Sequence, residues 1–455
     1  MGVRARAWRL LALGPPPLRS RPPIWLLVMI TISGTMAMHM FVPALPFAAR
    51  GLATGVGEMQ MTISLYILGL ASGQLLYGPL SDALGRRPVL IAGLILYALA
   101  GLAAALAPNL HLLLGARLAQ GLGGCAGLAL GRAIVRDTAQ ADTAVRQLAL
   151  MNLMIMIGPG LAPIVGGAIA TSMSWRAIFW LLSALGLLTV WLTWRLLPET
   201  GGARSRQQAA GAAWGPSFPA GPPQGKSGPL GGQQAAGAAW GLHFFWVLLS
   251  SYRDLLSSVK FAGFAVGGGC TTTAIYAFIA AAPFIFIDEL HRTAGEVGLF
   301  LGFMIVGMSV GNALTGRLIR RVPMERLMLT GNMICLVSAG ALLTVVLAEG
   351  LTLYGILGIM LVFTCGAGMA SPAALTKAIS VDPARIGSAA GLYGCAQMTI
   401  GALCTTLAAV GGDPALSAAV VLVGAALLGQ IAFWVALVRE RAEAAAQAAK
   451  PRGLL

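Results

Sequence analysis

Two side chains that can carry charge lie inside long apolar stretches of this sequence. His39 falls within the stretch 25–48 and Arg117 within the stretch 110–134, one turn before Gln120. Histidine gains and loses a proton near pH 6.5, so it can exchange protons across a physiological gradient. Arginine keeps its charge, and its insertion into hydrocarbon costs at least about 2.5–3.5 kcal/mol. The pattern indicates proton exchange or recognition of a polar molecule within a membrane. A core histidine and a snorkelling arginine are the structural alternatives.

The composition indicates the class of protein in which His39 and Arg117 are held. The chain has 455 residues, of which 57% are hydrophobic and 10% are charged. Soluble domains carry about 25% charged residues, so this chain cannot cover a water-exposed surface of its size. A soluble enzyme and a disordered chain are both excluded, and a polytopic membrane protein remains.

Apolar stretches long enough to cross a bilayer as helices recur along the whole chain. Strict period-two alternation is absent, which argues against a barrel. We predict twelve spans, at 25–48, 57–79, 87–107, 110–134, 146–171, 175–197, 261–287, 294–316, 325–348, 350–376, 386–410 and 414–438.

The basic residues fix the expected orientation. With the N-terminus inside, 26 of the 30 lysine and arginine residues fall in inner segments, and the outer loops hold Arg50, Arg176 and Arg292. The positive-inside rule therefore predicts that both termini are cytoplasmic. This topology accounts for the formal net charge of +15, so the bilayer is the expected partner and nucleic acid is not.

The spans divide into two halves around a polar segment. We predict a basic cytoplasmic N-terminus at 1–24, a six-helix bundle at 25–198, a disordered cytoplasmic linker at 199–256, a second six-helix bundle at 257–438 and a tail at 439–455. The linker contains QQAAGAAWG twice, at 207–215 and 233–241, which fits a short duplication or a docking site. Paired bundles joined by a long loop are typical of transporters.

The loop after the second span has the spacing of a known signature. It reads GPLSDALGRRP, with Gly78, Asp82, Gly85, Arg86 and Arg87 at the key positions. This resembles the G-x-x-x-D-x-x-G-R-[RK] loop of the major facilitator superfamily, which implies two six-helix bundles that alternate access to a central cavity. A simple topology signal is the alternative for these charges.

The fourth and fifth spans extend the resemblance. RLAQGLG at 117–123 is similar to a second motif of that superfamily, and RAIVRD at 132–137 resembles the Bcr/CflA subfamily of drug–proton antiporters. The resemblance implies that Arg136 and Asp137 join a cytoplasmic charge cluster that stabilises one conformation, although a solvated helix end is the alternative. The segment GPGLAPIVGG resembles the antiporter motif, with ordinary glycine packing as the alternative; its residues are Gly158, Pro159, Pro163, Gly166 and Gly167.

Residues of the second half and of the first span are candidates for an adaptable cavity wall. Tyr276 and Phe278 lie in a segment similar to the seventh helix of the subfamily, and Gln397 lies in one similar to its eleventh. Met36 and Met40 have the flexible side chains found at promiscuous binding surfaces. A plain packing role is the alternative for each.

The first span departs from the subfamily pattern at one position. MHMFVPALP at 38–46 has His39 where the subfamily has an aspartate. We hypothesise that His39 couples proton movement to substrate, and that burial and Arg117 favour the neutral ring. Loss of a buried carboxylate favours neutral or anionic amphiphiles as cargo over cationic drugs.

The resemblance and the residues together predict an exporter in the cell inner membrane. We expect a monomeric, multi-pass transporter that exports small amphiphilic drugs in exchange for protons, with an exporter of an endogenous metabolite, such as an amino-acid derivative or sugar, as the alternative. The six cysteines lack metal-ligand spacing and no H-E-x-x-H motif is present. We therefore expect no enzymatic activity, no metal site and no cofactor, the proton gradient being the energy source.

Overall fold

All regular structure in the described part of the chain is helical. The computed structural model describes residues 22–138, 158–200 and 250–448. Its long helices are α1 (Ile24–Gly51), α2 (Val56–Leu84), α3 (Arg86–Ala105), α4 (Leu110–Thr138), α5 (158–172 in its described part), α6 (Trp175–Leu196), α7 (Val259–Glu289), α8 (Ala294–Leu318), α9 (Met324–Leu347), α10 (Leu353–Ile379), α11 (Ile386–Val410) and α12 (Pro414–Ala448).

These helices confirm the predicted fold class. Within the described ranges, 11 helices are long and apolar enough to cross a membrane. The fifth predicted span, 146–171, lies partly outside those ranges, and its described part is helical. The count of twelve spans and the cytoplasmic position of the termini remain predictions, and the words inner and outer refer to that predicted orientation.

Two segments outside the predicted spans have more structure than the sequence indicated. The predicted tail 439–455 is helical as far as Ala448, because α12 continues through alanine, arginine and glutamate, which favour helix. Residues 250–257, assigned to the disordered linker, form a helix whose Leu255 is buried in the second bundle. The linker repeats lie outside the described residues.

The two halves share one packing pattern. In the first half α4 packs against α2 and α3, and α3 packs against α6. In the second half α10 packs against α8 and α9, and α9 packs against α12. Each of these contacts in the first half recurs in the second half between the helices numbered six higher. The chain is therefore built from two bundles of the same architecture, although their sequences are only weakly similar. Helices α2 and α11 contact each other extensively across the two bundles.

The first helix of each bundle is irregular in its outer half. In α1 a 3-10 turn at Val42–Ala44 contains Pro43. In α7 the helix is interrupted at Ala274 and ends in a π-helical turn, Ile285–Glu289, which begins two residues after Pro283. Proline has no backbone N–H, so Pro43 and Pro283 each remove one hydrogen bond from the outer half of their helix. The 3-10 turn of α1 contacts the Ile275–Phe284 part of α7 across the two bundles.

Close packing of α1 on α4 holds the first bundle together. A Cβ atom added at Gly127 of α4 would lie 2.0 Å from the carbonyl oxygen of Ile30 in α1, and one at Gly34 would lie 2.6 Å from the carbonyl oxygen of Gly124. Small residues permit this approach in membranes, where packing replaces the hydrophobic effect between helices.

We expect Gly127→Ala to lower the thermal unfolding temperature in detergent, because α1 and α4 must separate to admit the methyl group. Overpacking of this kind costs about 1–3 kcal/mol. Gly115 of α4 is exposed, and a Cβ atom added there would meet no neighbour within 4 Å. Gly115→Ala is therefore the matched control and should be neutral or slightly stabilising. Equal unfolding temperatures for the two variants would contradict the packing.

Candidate functional site

The guanidinium of Arg117 lies in an enclosed, aromatic part of the first bundle. The residue is 0% exposed. Its guanidinium carbon lies 4.1 Å from the ring centroid of Tyr66, 5.4 Å from that of Phe41 and 5.6 Å from that of Phe179. Aromatic faces attract cations, most strongly where water is excluded. Arg117 is therefore held inside the protein rather than extended towards the membrane surface.

Two oxygens complete the surroundings of Arg117. Its Nη1 donates to the carbonyl of Ala37 at 3.2 Å and to Oε1 of Gln120 at 2.7 Å. Gln120 is also fully buried, as expected for a residue one turn away on the same face of α4. Nε and Nη2 of Arg117 and Nε2 of Gln120 have no hydrogen-bond partner among the described residues. These three nitrogen atoms can therefore donate hydrogen bonds to a further group.

His39 lies at the contact between the bundles. Its Nδ1 is 2.9 Å from the carbonyl oxygen of Thr35, and its ring meets that of Tyr276 edge-on, with centroids 6.3 Å apart. The residue is 7% exposed. Since α1 belongs to the first bundle and α7 to the second, this contact must change when the bundles move apart.

Arg117 and His39 occupy different sides of α1. Arg117 bonds to the carbonyl of Ala37, and residues two positions apart on a helix are about 200° apart around its axis. Arg117 therefore packs on the side of α1 that faces the interior of the first bundle, whereas His39 faces the second bundle. The hypothesis that Arg117 favours the neutral form of His39 remains a prediction.

The wall opposite His39 contains a polar connection between α7 and α11. Nε2 of Gln397 donates to Oγ1 of Thr272 at 2.6 Å, and Oγ1 of Thr273 donates to the carbonyl of Gln397 at 2.8 Å. A Cβ added at Gly401 would lie 2.9 Å from Cδ2 of Tyr276 and 3.0 Å from Cβ of Thr273. Gln397 and Tyr276 are thus neighbours on one polar surface of the second bundle.

The remaining cavity candidates differ in their burial. Met36 and Tyr276 are half-buried, whereas Met40 is 0% and Phe278 1% exposed. Phe278 packs edge-on against Phe286, with ring centroids 6.4 Å apart. In this conformation Met40 and Phe278 are packing residues, and Met36 and Tyr276 are the better placed to meet a cargo.

The signature loop after α2 forms an ionic cluster at the inner end of the first bundle. Arg86 pairs with Asp82 at 2.7 Å and with Asp137 of α4 at 3.2 Å, and it also donates to the hydroxyl of Ser81. Asp82 also faces Tyr252, and burial is the main cause that raises the pKa of that phenol to about 12. The cluster therefore joins α2, α3 and α4. The side chain of Arg136 lies outside the described residues.

Glu199, which was not among the residues predicted from the sequence, completes this cluster. Its Oε1 accepts from the backbone N–H of Arg86 at 3.0 Å, at the N-terminus of α3, where a carboxylate is favoured by the helix dipole. Gly85 has φ +98, and a Cβ there would lie 2.9 Å from the carboxylate of Glu199.

The other two residues of the signature loop differ in their surroundings. Arg87 is 3% exposed and donates to the carbonyl of Trp194, so the loop also holds the end of α6. A Cβ atom added at Gly78 would meet no neighbour within 4 Å, so no close helix packing requires a glycine there in this conformation.

The second bundle carries a similar cluster, in which the cation and one carboxylate have exchanged helices. Lys377, at the end of α10, lies 3.0 Å from Glu325 at the start of α9 and 2.9 Å from Glu440 in α12. In the first bundle Arg86 at the start of α3 bonds to Asp137 at the end of α4 and to Glu199 after α6. No sequence motif revealed the second cluster, because the second half lacks the acid of the signature loop.

The antiporter motif lies where the bundles meet. A Cβ at Gly166 would be 1.8 Å from the carbonyl oxygen of Met40, and one at Gly167 would be 2.2 Å from that of Ala294 in α8. The carbonyl of Pro163 similarly approaches Gly298 of α8. Gly158 lies against Ile32 of α1, and Pro159 is half-buried. The motif therefore packs α5 against α1 and the opposite bundle.

An ion pair links the bundles at the outer surface. Nη1 of Arg50, at the end of α1, is 3.2 Å from Oδ1 of Asp288, at the end of α7. Both side chains are well exposed, at 58% and 44%. Such a pair contributes about 0–1 kcal/mol, which is sufficient to bias two conformations that are close in free energy.

Two similar helical bundles that meet around a histidine and a polar wall define a membrane transport protein rather than an enzyme. Comparison with known families agrees, since a model of the Major Facilitator Superfamily matches residues 27–405. The chain belongs to this superfamily and is a multi-pass protein of the inner membrane.

The relatives and solved structures agree with this assignment. The chain is 26% identical to the bicyclomycin resistance protein homolog of Haemophilus influenzae, over 82% of this chain and 85% of that protein. It is 28% identical to multidrug resistance protein MdtL of Klebsiella pneumoniae, over 86% and 88% respectively. A crystal structure of a D-xylose–proton symporter shares the fold, with TM-score 0.66 and 16% identity over 89% of this chain and 96% of that one.

We expect Lys377→Met to destabilise the second bundle, because the carboxylates of Glu325 and Glu440 lose the cation that they share, and only the exposed Arg441, 3.6 Å from Glu325, remains beside them. Loss of one partner of a partly buried cluster costs about 1–3 kcal/mol. Adding Glu440→Gln should restore part of the loss. Thermal unfolding in detergent measures the effect, which should diminish at acidic pH as the unpaired carboxylates bind protons. Full stability of the single variant at neutral pH would argue against this ionic cluster.

We expect Arg50→Asp and Asp288→Arg, each alone, to favour separation of the outer ends of the bundles. The combined exchange should restore contact, because it re-forms the pair with reversed polarity. Distances between spin labels on the α1–α2 and α7–α8 loops report how many molecules have these ends together and how many have them apart. The ratio of the two populations should change by at most about fivefold, because the pair is exposed. Additive effects in the double variant would contradict a direct interaction.

Proposed function

We propose that this protein exports small amphiphilic drugs or xenobiotics from the cytoplasm in exchange for protons, with His39 as the proton-carrying group. The observation that carries this proposal is the position of His39, whose ring contacts Tyr276 at the interface that opens and closes. The names of the relatives, which concern bicyclomycin and multidrug resistance, support drug export.

The distribution of charge supports the choice of His39. Within the described residues, the acidic side chains of the spanning helices lie near the helix ends, such as Glu58, Asp82, Asp288 and Glu325. His39 is 15 residues beyond the start of α1, which places it about 22 Å along the helix. A proton that reaches mid-depth therefore has an imidazole rather than a carboxylate to bind.

Protonation of His39 would drive the exchange in two ways. The ring would acquire a positive charge at the interface between the bundles, where desolvation makes charge costly. It would also change its hydrogen-bonding capacity, because the ring nitrogen that accepts becomes one that donates. Protons from the outer side would therefore displace cargo, and loss of the proton to the cytoplasm would restore a neutral site for the next molecule.

A histidine site favours neutral or anionic cargo. A buried carboxylate attracts a cation, whereas imidazole is neutral or positive. Arg117 adds a permanent positive charge to the same bundle. We therefore propose that lipophilic cations are poor substrates. Export of an endogenous metabolite, such as an amino-acid derivative or sugar, is the alternative that a substrate screen would reveal. We also propose that the transporter acts as a monomer and without a metal or other cofactor.

The test is transport by the purified protein in proteoliposomes. We expect an imposed proton gradient to drive uphill movement of neutral amphiphilic drugs at least tenfold more strongly than movement of a lipophilic cation of similar size. His39→Asn keeps a polar side chain that does not titrate, and it should permit downhill movement while abolishing accumulation.

One control variant makes this result specific. His243 lies in the linker rather than in a predicted span, so His243→Asn should accumulate drug like the unaltered protein. A strong preference for the cation would refute the proposed cargo class, and a His39→Asn protein that still accumulates drug would remove His39 from the coupling role.

A further inference from the structure

The hydrogen bond made by His39 determines which ring nitrogen carries a proton. Nδ1 lies 2.9 Å from the carbonyl oxygen of Thr35. A carbonyl oxygen only accepts, so Nδ1 must be the donor and must carry the hydrogen. In the neutral ring the second nitrogen, Nε2, therefore has a lone pair and acts as an acceptor.

The geometry of the ring directs that acceptor away from α1. Thr35 is one turn before His39 on the same helix, so Nδ1 points back along α1. Nδ1 and Nε2 lie on opposite sides of the imidazole Cε1, so Nε2 points away from the Thr35 carbonyl. No hydrogen-bond partner of Nε2 is present among the residues that the structure describes, and the ring is 7% exposed. The lone pair of Nε2 is therefore available to a donor that enters between the bundles.

Among the described residues, no carboxylate competes for this acceptor of His39. Tyr276 faces the ring from α7. Arg117, from α4, and Tyr66, from α2, lie towards Ala37 on the other side of α1. The described part of α5, residues 158–172, contains no titratable side chain, and Glu296 of α8 is near the outer end of its helix.

We propose that Nε2 of His39 selects cargo that carries an N–H or O–H donor, and that proton and cargo compete for this one lone pair. This inference rests on the proposed function, whose cargo class it narrows to neutral amphiphiles with an amide N–H or a hydroxyl. Cargo from the cytoplasm donates to the neutral ring. A proton from outside takes the lone pair, the hydrogen bond to cargo is broken, and the cargo leaves chemically unchanged.

A matched pair of neutral probes tests the proposal. N-(1-naphthyl)acetamide has one amide N–H, and its N-methyl analogue lacks it. We expect the unaltered protein in detergent to bind the N–H probe about five- to tenfold more tightly at pH 8.5, and to lose this preference at pH 5.5. Binding of the N-methyl probe should change little with pH. Equal affinities at pH 8.5, or no binding of either probe, would overturn the proposal.

Two substitutions separate the acceptor from the titration. His39→Gln places an amide oxygen near the position of Nε2, so it should keep the preference for the N–H probe but lose its dependence on pH. His39→Leu removes the acceptor, so the two probes should bind equally. A preference that survives in His39→Leu would show that another group selects the donor.

Transport of the same probes distinguishes this proposal from the function on which it rests. Proton-driven accumulation of both probes to the same extent would refute donor selection and leave proton-coupled export standing. Failure of the unaltered protein to accumulate any neutral amphiphile on a proton gradient would refute the proposed function itself. Preferential binding of the N–H probe without accumulation would support the site and reject the coupling.

Discussion

The cost of charge in hydrocarbon is the constraint on which the rest of this structure depends. An ionised side chain at mid-membrane must find partners within the protein. Arg117 meets this requirement with the faces of Tyr66, Phe41 and Phe179 and with two oxygens. Because these partners come from α1, α2, α4 and α6, satisfying one guanidinium also joins four helices. The contacts of this one side chain therefore favour movement of the first bundle as a single rigid body.

The same constraint explains why ionic contacts are concentrated at the membrane surfaces. Arg86 and Lys377 each connect several helices of one bundle at the inner end, whereas Arg50 and Asp288 connect the two bundles at the outer end. Ion pairs at the surface are weak and reversible. Ionic contacts with several partners within each bundle, and a single exposed ion pair between the bundles, suit the alternating access that the proposed function requires.

The sequence predicted the helices and their division into two bundles better than it predicted which side chains contact each other. Hydropathy and the glycine-containing motifs indicated the paired bundles, because both patterns are local. The cluster of Lys377, Glu325 and Glu440 has members from three helices that are far apart in sequence, so no local motif marks it. Glu199 bonds to Arg86, which is 113 positions away. Likewise, the sequence placed Arg117 and His39 within predicted spans, but only packing shows that they lie on different sides of α1.

Histidine in place of a carboxylate changes the charge that accompanies transport under the proposed exchange. A carboxylate site cycles between −1 and 0, so a cationic cargo replaced by one proton moves no net charge. The imidazole of His39 cycles between 0 and +1, and a neutral cargo exchanged for one proton moves one positive charge inward. The membrane potential then contributes about 2.3 kcal/mol per 100 mV for each cycle. Export of neutral molecules would consequently continue when the pH difference is small, which suits an acceptor site that does not rely on the charge of its cargo.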